Sequence, residues 1–191
     1  YFESTKDKKL IAFVGSNPLL IEKWKGEIIW YNAPIPDKEV TDAMDAVEPF
    51  STYVSSGGNV LGASFYIAKA VMGANPIVFV GADFSFSYTK KFHAWQSKYD
   101  KSIGQVMRAT DVFGNRVCTW ASYYNFKCWF ESRVCSVPGI YINATEGGIF
   151  GSYPEGNIMQ IRQMALEDVI AMYSLSDHVR EQCENPTVIK K

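Results

Sequence analysis

Residues 143–148 combine side chains and bare backbone that could bind a charged small molecule. They supply an amide, a hydroxyl, a carboxylate and two glycines: Asn143, Thr145, Glu146, Gly147 and Gly148. The preceding residues, 140–142, are β-formers and predict a short buried strand. Because ligands of open α/β sheets bind at the carboxyl ends of strands, this loop is a candidate site. A tight turn is the alternative, although a plain turn needs no such group of polar residues.

A second carboxylate follows another predicted strand. Residues 76–80 are continuously apolar, which is typical of a strand buried on both faces. Asp83 comes directly after this strand and is expected at the same edge of the sheet. A carboxylate there can bind a ribose hydroxyl, hold a cation or act as a general base. Capping of local backbone is the alternative use of a loop Asp.

Residues 55–59 precede an amphipathic helix that we predict over residues 60–72. A helix N-terminus rich in free N–H groups favours a phosphate or carboxylate. The candidate ligand residues are Ser55, Ser56, Gly57, Gly58 and Asn59. The alternative is that Ser56 or Asn59 only caps the helix.

Two further loops contribute candidates. Residues 9–14 predict a buried strand, and the loop that follows carries Ser16 and Asn17. Residues 85–104 have little periodicity and predict a long loop or lid. Its His93 is either a general base or a solvated loop residue.

Composition narrows the possible functions. The chain is 47% hydrophobic and 20% charged, with a net charge of −1, which gives no electrostatic reason to expect nucleic acid as a partner. No apolar run is long enough for a membrane span. The four cysteines lack C-x-x-C spacing and there are only two histidines, which argues against zinc and favours a reduced, cytoplasmic setting. Because the chain begins at Tyr1, we expect it to be a piece of a longer protein.

The remaining segments must position these groups. They predict helices over residues 19–24, 37–47, 119–134 (capped by Thr119) and 158–173, a strand over 27–31, and a β-hairpin from 106–111 and 116–118. Alternating strands and helices predict an α/β, Rossmann-like three-layer sandwich with a mainly parallel sheet and a small hairpin insertion. We expect one domain over residues 1–173 and a peripheral tail over 174–191.

Several segments together resemble the MptE-like family. This family includes the archaeal 6-hydroxymethylpterin diphosphokinase and the bacterial motility-associated-factor (Maf) glycosyltransferases. The resembling segments are residues 55–60, Gly73, 76–84 and 141–148. The resemblance covers about residues 9–173, and residues 143–148 are its most specific part. Residues 81–84 also resemble the strand-end motif of bacterial sialyltransferases that use CMP-sialic acid.

The resemblance implies a Rossmann-like domain that binds a nucleotide or nucleotide-linked donor. Bacterial members imply transfer of a nonulosonic acid, such as pseudaminic or legionaminic acid, from a CMP-sugar to a protein hydroxyl. The archaeal member implies ATP-dependent diphosphate transfer to a pterin with Mg²⁺. The intact 143–148 loop looks more like the bacterial branch.

The sequence departs from the family pattern at two places. The family's Gly-x-Gly-Pro-Ser-Leu loop is matched only partly by residues 15–19, so its first strand–loop unit is expected to be absent here. The sialyltransferase histidine base should fall near Cys118 and Thr119, where no histidine stands. His93 is the substitute that the sequence offers.

These observations predict a transferase with a nucleotide-activated donor and a protein or small-molecule acceptor. Residues 55–59 and the amides of Gly147 and Gly148 would hold phosphate or carboxylate groups, and Asn143 the base or ribose. Asp83 and Glu146 would serve as base, sugar-hydroxyl acceptor or Mg²⁺ ligand. The other class is a non-catalytic, Rossmann-like binding module of a larger protein.

Overall fold

The structure, a computed structural model, describes residues 4–34, 37–47, 53–86, 105–153 and 156–174. The chain divides into two compact units, Tyr1–Ala74 and Asn75–Lys191, which are described separately. His93, most of the predicted lid and all of the predicted tail except Ser174 lie outside the described residues. A single domain over residues 1–173 stays a prediction.

The first unit is built on two parallel strands, β1 (Lys9–Phe13) and β2 (Glu27–Tyr31). Helix α1 (Pro18–Lys23) lies between them in the chain, as parallel neighbours require a crossover. Directly after β2, Asn32 forms a parallel bridge with Tyr53, and the N–H of Val54 donates to the Asn32 carbonyl at 2.7 Å. The strands and the helix predicted over residues 9–14, 27–31 and 19–24 are therefore confirmed to within one or two residues. The prediction that the first strand is buried is wrong, because Ile11 is 39% exposed and Val14 is 46% exposed.

Two more helices complete the first unit. Helix α2 (Lys38–Val47) is preceded by Asp37, whose Oδ1 accepts the N–H of Glu39 at 2.9 Å. Helix α3 (Val60–Tyr66) continues directly into a π-helical turn, Ile67–Val71, so the helix predicted over residues 60–72 is confirmed. Gly73 follows with a φ of +67°, a conformation that favours glycine at helix ends.

The second unit is centred on a three-stranded parallel sheet. Its elements in chain order are β3 (Ile77–Phe79), β4 (Val106–Thr110), β5 (Arg116–Trp120), α4 (Ala121–Ser136), β6 (Tyr141–Asn143), β7 (Ser152–Tyr153), β8 (Gly156–Asn157), β9 (Ile161–Gln163) and α5 (Leu166–Tyr173). Strand β6 lies between β3 and β9. Its Ile142 is 0% exposed, as expected for a parallel strand covered on both faces. The chain thus mixes helices with parallel strands, as an α/β protein does.

Aromatic side chains form part of the core beside this sheet. The ring of Phe79 on β3 packs edge-on against those of Phe130 on α4 and Phe150, with centroids 5.8 and 4.9 Å apart. Phe130 and Phe150 are both 0% exposed. This packing places α4 and the chain after β6 against the sheet.

The predicted β-hairpin is confirmed, with β4 and β5 antiparallel and Arg108 opposite Cys118. The prediction that Thr119 caps the next helix is wrong, because β5 continues through Trp120 and α4 begins at Ala121. The Thr119 hydroxyl instead donates to the carbonyl of Phe84 at 2.6 Å. This hydrogen bond links the hairpin to the segment that follows β3.

The prediction of one helix over residues 158–173 is wrong in its first half. Ile161 pairs with Tyr141 in the sheet, and α5 begins only at Leu166. Ile158 and Ile161 have helical spacing, but the free edge of β6 offers a hydrogen-bonding partner that spacing alone does not reveal. Among the described residues, no helix has the length and apolar character needed to cross a membrane.

Candidate functional site

A cavity of about 430 Å³ lies in the first unit, beside β1 and β2. Two loops that the sequence marks as ligand-binding both line it. Ser16 comes from the loop after β1, and Ser56, Gly58 and Asn59 come from the loop before α3. Apolar and aromatic residues such as Phe13 and Tyr31 form most of the remaining wall. Ligand sites of proteins typically have a volume of about 300–1,000 Å³ and this mixture of an apolar wall with few polar groups.

The loop before α3 is shaped by its own polar side chains. The Ser56 hydroxyl accepts the N–H of Gly58 at 3.3 Å, and Asn59 Oδ1 accepts the N–H of Gly62 at 2.9 Å. Asn59 therefore caps α3, as the alternative interpretation states, and also lines the cavity. Its Nδ2 is buried without a hydrogen-bond partner among the described residues.

Three other predicted residues do not line this cavity. Asn17 caps α1, since its Oδ1 accepts the N–H of Leu19 at 3.0 Å. Ser55 is half-buried, and Gly57 adopts a φ of +60° that shapes the turn. Asn17 and Gly57 thus shape the loops that carry the lining residues.

Gly62 is a residue of this site that the sequence analysis missed. A Cβ atom at this position would lie 1.7 Å from the carbonyl oxygen of Ser56, so α3 can approach the loop only with glycine here. Gly57 and Gly62 have the spacing of the first and last glycines in the dinucleotide-binding fingerprint, with Asn59 in the place of the middle one. In that fingerprint the last glycine allows close packing of the helix. The spacing could have identified Gly62.

In the second unit, the loop after β3 and the loop after β6 are in direct contact. The N–H of Ala82 donates to the Thr145 hydroxyl at 2.9 Å, and the N–H of Ile149 donates to the Asp83 carbonyl at 2.8 Å. Gly148 has a φ of +74°, and a Cβ atom there would lie 2.4 Å from the Asp83 carbonyl oxygen. The prediction that Asp83 and residues 143–148 share one edge of the sheet is confirmed.

The buried side chain of Asn143 makes three hydrogen bonds that order this loop. It is 1% exposed, its Oδ1 accepts the N–H of Thr145 at 3.1 Å, and its Nδ2 donates to Phe150 and Gln163 at 3.1 and 3.0 Å. The prediction that Asn143 binds a base or ribose stays a prediction. The observed bonds show that it orders the loop in which Glu146 and the glycines stand.

A buried ion pair anchors the far end of the same loop. Glu131 on α4 accepts the N–H of Gly151 at 2.9 Å and the ammonium of Lys127 at 2.7 Å. Lys127 and Glu131 are 3% and 2% exposed. Burial raises the pKa of Glu131, while Lys127 and the Gly151 N–H partly oppose that shift. Nothing in the local sequence marks this pair as buried, because a Lys and a Glu four residues apart on a helix are ordinarily a surface pair.

Glu146 is exposed and caps a helix twenty residues away. Its Oε1 accepts the N–H of Leu166, the first residue of α5, at 2.9 Å, and its backbone has a φ of +60°. It lines a second cavity, of about 330 Å³, together with Phe113, Asn143, Gln163, Met164 and Ala165. Gly147 is half-buried beside it and has open space around its Cα atom.

Two substitutions of Glu146 test whether its side chain caps α5. Glu146→Ala removes the acceptor for the Leu166 N–H and should lower the free energy of unfolding by about 1 kcal/mol. Glu146→Gln keeps an oxygen at that place and should unfold at nearly the same urea concentration as the wild type. Equal losses of stability in the two variants would contradict a capping role.

The carboxyl group of Asp83 is perturbed by its surroundings. Although the residue as a whole is exposed, desolvation by nearby protein atoms raises the pKa of Asp83, and a hydrogen bond from its own backbone opposes this to a smaller extent. A raised pKa brings a carboxylate closer to the range in which general bases work.

The raised pKa of Asp83 predicts a pH dependence. Because the folded state binds this proton more tightly than the unfolded chain, its contribution to stability is present below the unfolded pKa of about 3.9 and is lost as pH rises through the folded pKa. Asp83→Asn should therefore be at least as stable as the wild type at neutral pH. A carboxyl NMR titration with a midpoint at or below the ordinary value would contradict the desolvation.

Metal-binding groups are sparse in the described part of the chain. No three His, Cys, Asp or Glu side chains are grouped there in a way that could hold a metal ion. Cys118, Cys128 and Cys135 are free thiols. Comparison of the chain with models of known families, with curated proteins and with solved structures finds no match. Functional assignment therefore depends on the two sites described above.

Proposed function

We propose that the protein is a transferase that uses a nucleotide-activated donor. The observation that carries this proposal is the 430 Å³ cavity of the first unit, where Ser16 from one loop meets Ser56, Gly58 and Asn59 from another. Both loops were selected as ligand-binding from the sequence alone. The pair β1–β2 and the three-stranded sheet β3–β6–β9 are parallel, which is compatible with the α/β class of the Rossmann-like three-layer fold that we propose.

The wall of this cavity suits a nucleotide. Phe13 and Tyr31 provide aromatic surface for a base or ribose, and the hydroxyls of Ser16 and Ser56 provide hydrogen-bonding groups. The wall residues carry no charged side chain in the described part of the chain, so recognition there relies on neutral donors and backbone dipoles. A CMP-linked nonulosonic acid is the donor that we favour, as in the Maf glycosyltransferases.

Asp83 and Glu146 are the groups that we assign to proton transfer in the second unit. Transfer from a CMP-sugar requires a base that accepts the proton of the acceptor hydroxyl as that oxygen attacks the anomeric carbon of the sugar. The glycosidic bond to phosphate breaks, and CMP leaves with the electron pair. Asp83 is the better candidate, because its raised pKa suits a base and Glu146 Oε1 is bonded to Leu166.

The archaeal enzymes that the sequence resembles imply Mg²⁺, and their chemistry is the alternative. Mg²⁺ is commonly held by one or two carboxylates together with substrate phosphates, and Asp83 is the carboxylate of the second unit that we propose as a ligand. When bound, the ion would neutralise phosphate charge. An ATP-dependent diphosphotransferase would require it, whereas transfer from a CMP-sugar need not.

Nucleotide binding should raise the melting temperature of the full chain by ligand linkage. At about one hundred times its Kd, CMP should stabilise the protein by about 2.7 kcal/mol. Ser16→Trp fills the cavity and should abolish the shift, while Glu22→Trp adds the same side chain on the exposed part of α1, away from the cavity wall. Equal shifts in both variants, or no shift with CMP or ATP at millimolar concentration, would count against the proposal.

Product analysis separates the enzyme classes. Release of CMP from a CMP-nonulosonate in the presence of an acceptor supports the glycosyltransferase, and release of AMP from ATP supports the diphosphotransferase. Nucleotide binding without either product supports a non-catalytic binding module. Asp83→Asn should abolish turnover and leave the CMP-dependent thermal shift unchanged.

A further inference from the structure

Two arginines share one face of the β4–β5 hairpin. Arg116 on β5 lies opposite Thr110 on β4, and Arg108 stands two residues before Thr110 on the same strand. Side chains two residues apart in a strand point to the same face, as do those of directly opposed residues. Arg108, Thr110 and Arg116 therefore project from one side of the hairpin.

These residues line a cavity of about 260 Å³ together with Ala109. It lies wholly within the second unit and shares no lining residue with the 330 Å³ cavity beside Glu146. Both arginines are exposed, so a ligand can reach their guanidinium groups from solvent. Their donors and the Thr110 hydroxyl are the polar side-chain groups of the cavity.

No carboxylate neutralises these two charges in the described part of the chain. The ion pairs found there are Lys9–Glu27, Lys38–Asp42 and Lys127–Glu131. The single acid in the hairpin, Asp111, is occupied by its own turn. Its Oδ1 accepts the N–H groups of Phe113 and Asn115 at 2.9 and 2.7 Å, and its Oδ2 accepts the side-chain amide of Asn115 at 3.1 Å.

Among the described residues, the two arginines therefore form no ion pair, and the cavity that they line offers a place for an anion. Side chains at diagonal positions of an antiparallel pair start about 7–8 Å apart, within reach of each other when they are as long as arginine. Two like charges at this distance repel each other. An oxyanion between them would receive charge-assisted hydrogen bonds from two planar donor groups, the geometry for which arginine is suited in phosphate recognition.

We propose that Arg108, Thr110 and Arg116 form a binding site for a phosphoryl group. The site goes beyond the proposed function, because the cavity that carries that function lies in the first unit. The two guanidinium groups hold the phosphoryl oxygens, and the Thr110 hydroxyl donates a further hydrogen bond. Inorganic phosphate and pyrophosphate are the probes, and pyrophosphate binds more tightly because its additional charge meets both arginines.

Isothermal titration of the full chain with pyrophosphate at constant ionic strength tests this site. Arg108→Gln and Arg116→Gln should each weaken binding by about tenfold or more, in line with the loss of a charge-assisted bidentate contact. Arg162→Gln removes the same charge from an exposed position on β9 and serves as the matched control, with binding changed by less than about twofold. Circular dichroism should show all three variants folded, since the replaced side chains are exposed.

Three outcomes would overturn the proposal. They are an absence of pyrophosphate binding to the wild type, an equal loss of binding in Arg162→Gln, and unchanged binding in both hairpin variants. The thermal shift with CMP should be the same in Arg108→Gln as in the wild type, so that failure of this site and failure of the nucleotide cavity give different results.

Discussion

Replacing Gly148 with alanine is expected to lower the free energy of unfolding by about 2–5 kcal/mol. This loss is the sum of the cost of holding alanine in a left-handed backbone conformation and the cost of the steric clash that its Cβ atom creates. The φ of +74° at Gly148 is a conformation that alanine adopts only with strain. Its Cβ atom would also lie 2.4–2.8 Å from three backbone atoms of Asp83, and backbone cannot move aside as a flexible side chain can. Urea unfolding followed by circular dichroism measures this loss.

Gly147 provides the matched control, one residue earlier in the same loop. A Cβ atom there meets nothing within 4 Å, so Gly147→Ala should change stability by less than about 1 kcal/mol. If Gly148→Ala proves as stable as Gly147→Ala, the two loops do not meet as described. The conclusion that the loops after β3 and β6 meet at one edge of the sheet would then lose its main evidence.

Removing Lys127 should be comparably damaging, because it leaves Glu131 buried without its positive partner. Lys127→Met is expected to cost about 3–5 kcal/mol at neutral pH. Without the ammonium, burial keeps the pKa of Glu131 above its ordinary value. The deficit should therefore shrink as pH falls through this raised pKa, and it should be smallest below the ordinary value, where the carboxyl group is protonated in the folded and the unfolded states alike.

The double variant Lys127→Met/Glu131→Gln tests the cause. It removes both charges while keeping a side-chain oxygen for the N–H of Gly151. Its cost should fall to about 1–3 kcal/mol, that of a buried amide with unsatisfied hydrogen-bonding groups. A double variant as unstable as Lys127→Met alone, at every pH, would show that packing rather than charge accounts for the loss.

Several elements of the fold could be predicted from local sequence. The apolar runs at residues 9–14 and 76–80 both contain strands, β1 and β3, as their composition predicts. Burial on both faces could not be read from these runs, because Ile11 and Val80 are exposed. The Phe113, Gly114 and Asn115 turn forms the predicted hairpin, with Asp111 binding its N–H groups. Asn59 caps α3, which was one of the two interpretations of its loop.

Other features depend on contacts that are remote in sequence. Glu146 caps a helix whose first residue is Leu166, and Ile161 becomes a strand residue because Tyr141 lies beside it. A Lys and a Glu four residues apart are ordinarily a surface pair on a helix, so nothing local marks Lys127 and Glu131 as buried. Each of these outcomes depends on tertiary contacts with residues that are remote in the sequence.

The candidate site was only partly predictable for the same reason. Residue types marked the loop at 143–148 and its contact with Asp83, because both follow apolar strands. The hydrogen bonds by which Asn143 orders its loop involve Phe150 and Gln163, and Gln163 lies beside Asn143 because β9 pairs with β6. Gly62 could have been found from its spacing to Gly57, but its need to be glycine follows from the Ser56 carbonyl.

Amide NMR shift mapping during a titration with CMP tests the nucleotide cavity most directly. We predict that the N–H signals of Ser16, Ser56, Gly58 and Asn59 move together and saturate with a single Kd, since all four residues line one cavity. Shifts that leave these four signals in place, or an absence of any saturable shift with CMP and with ATP, would contradict a nucleotide-binding role.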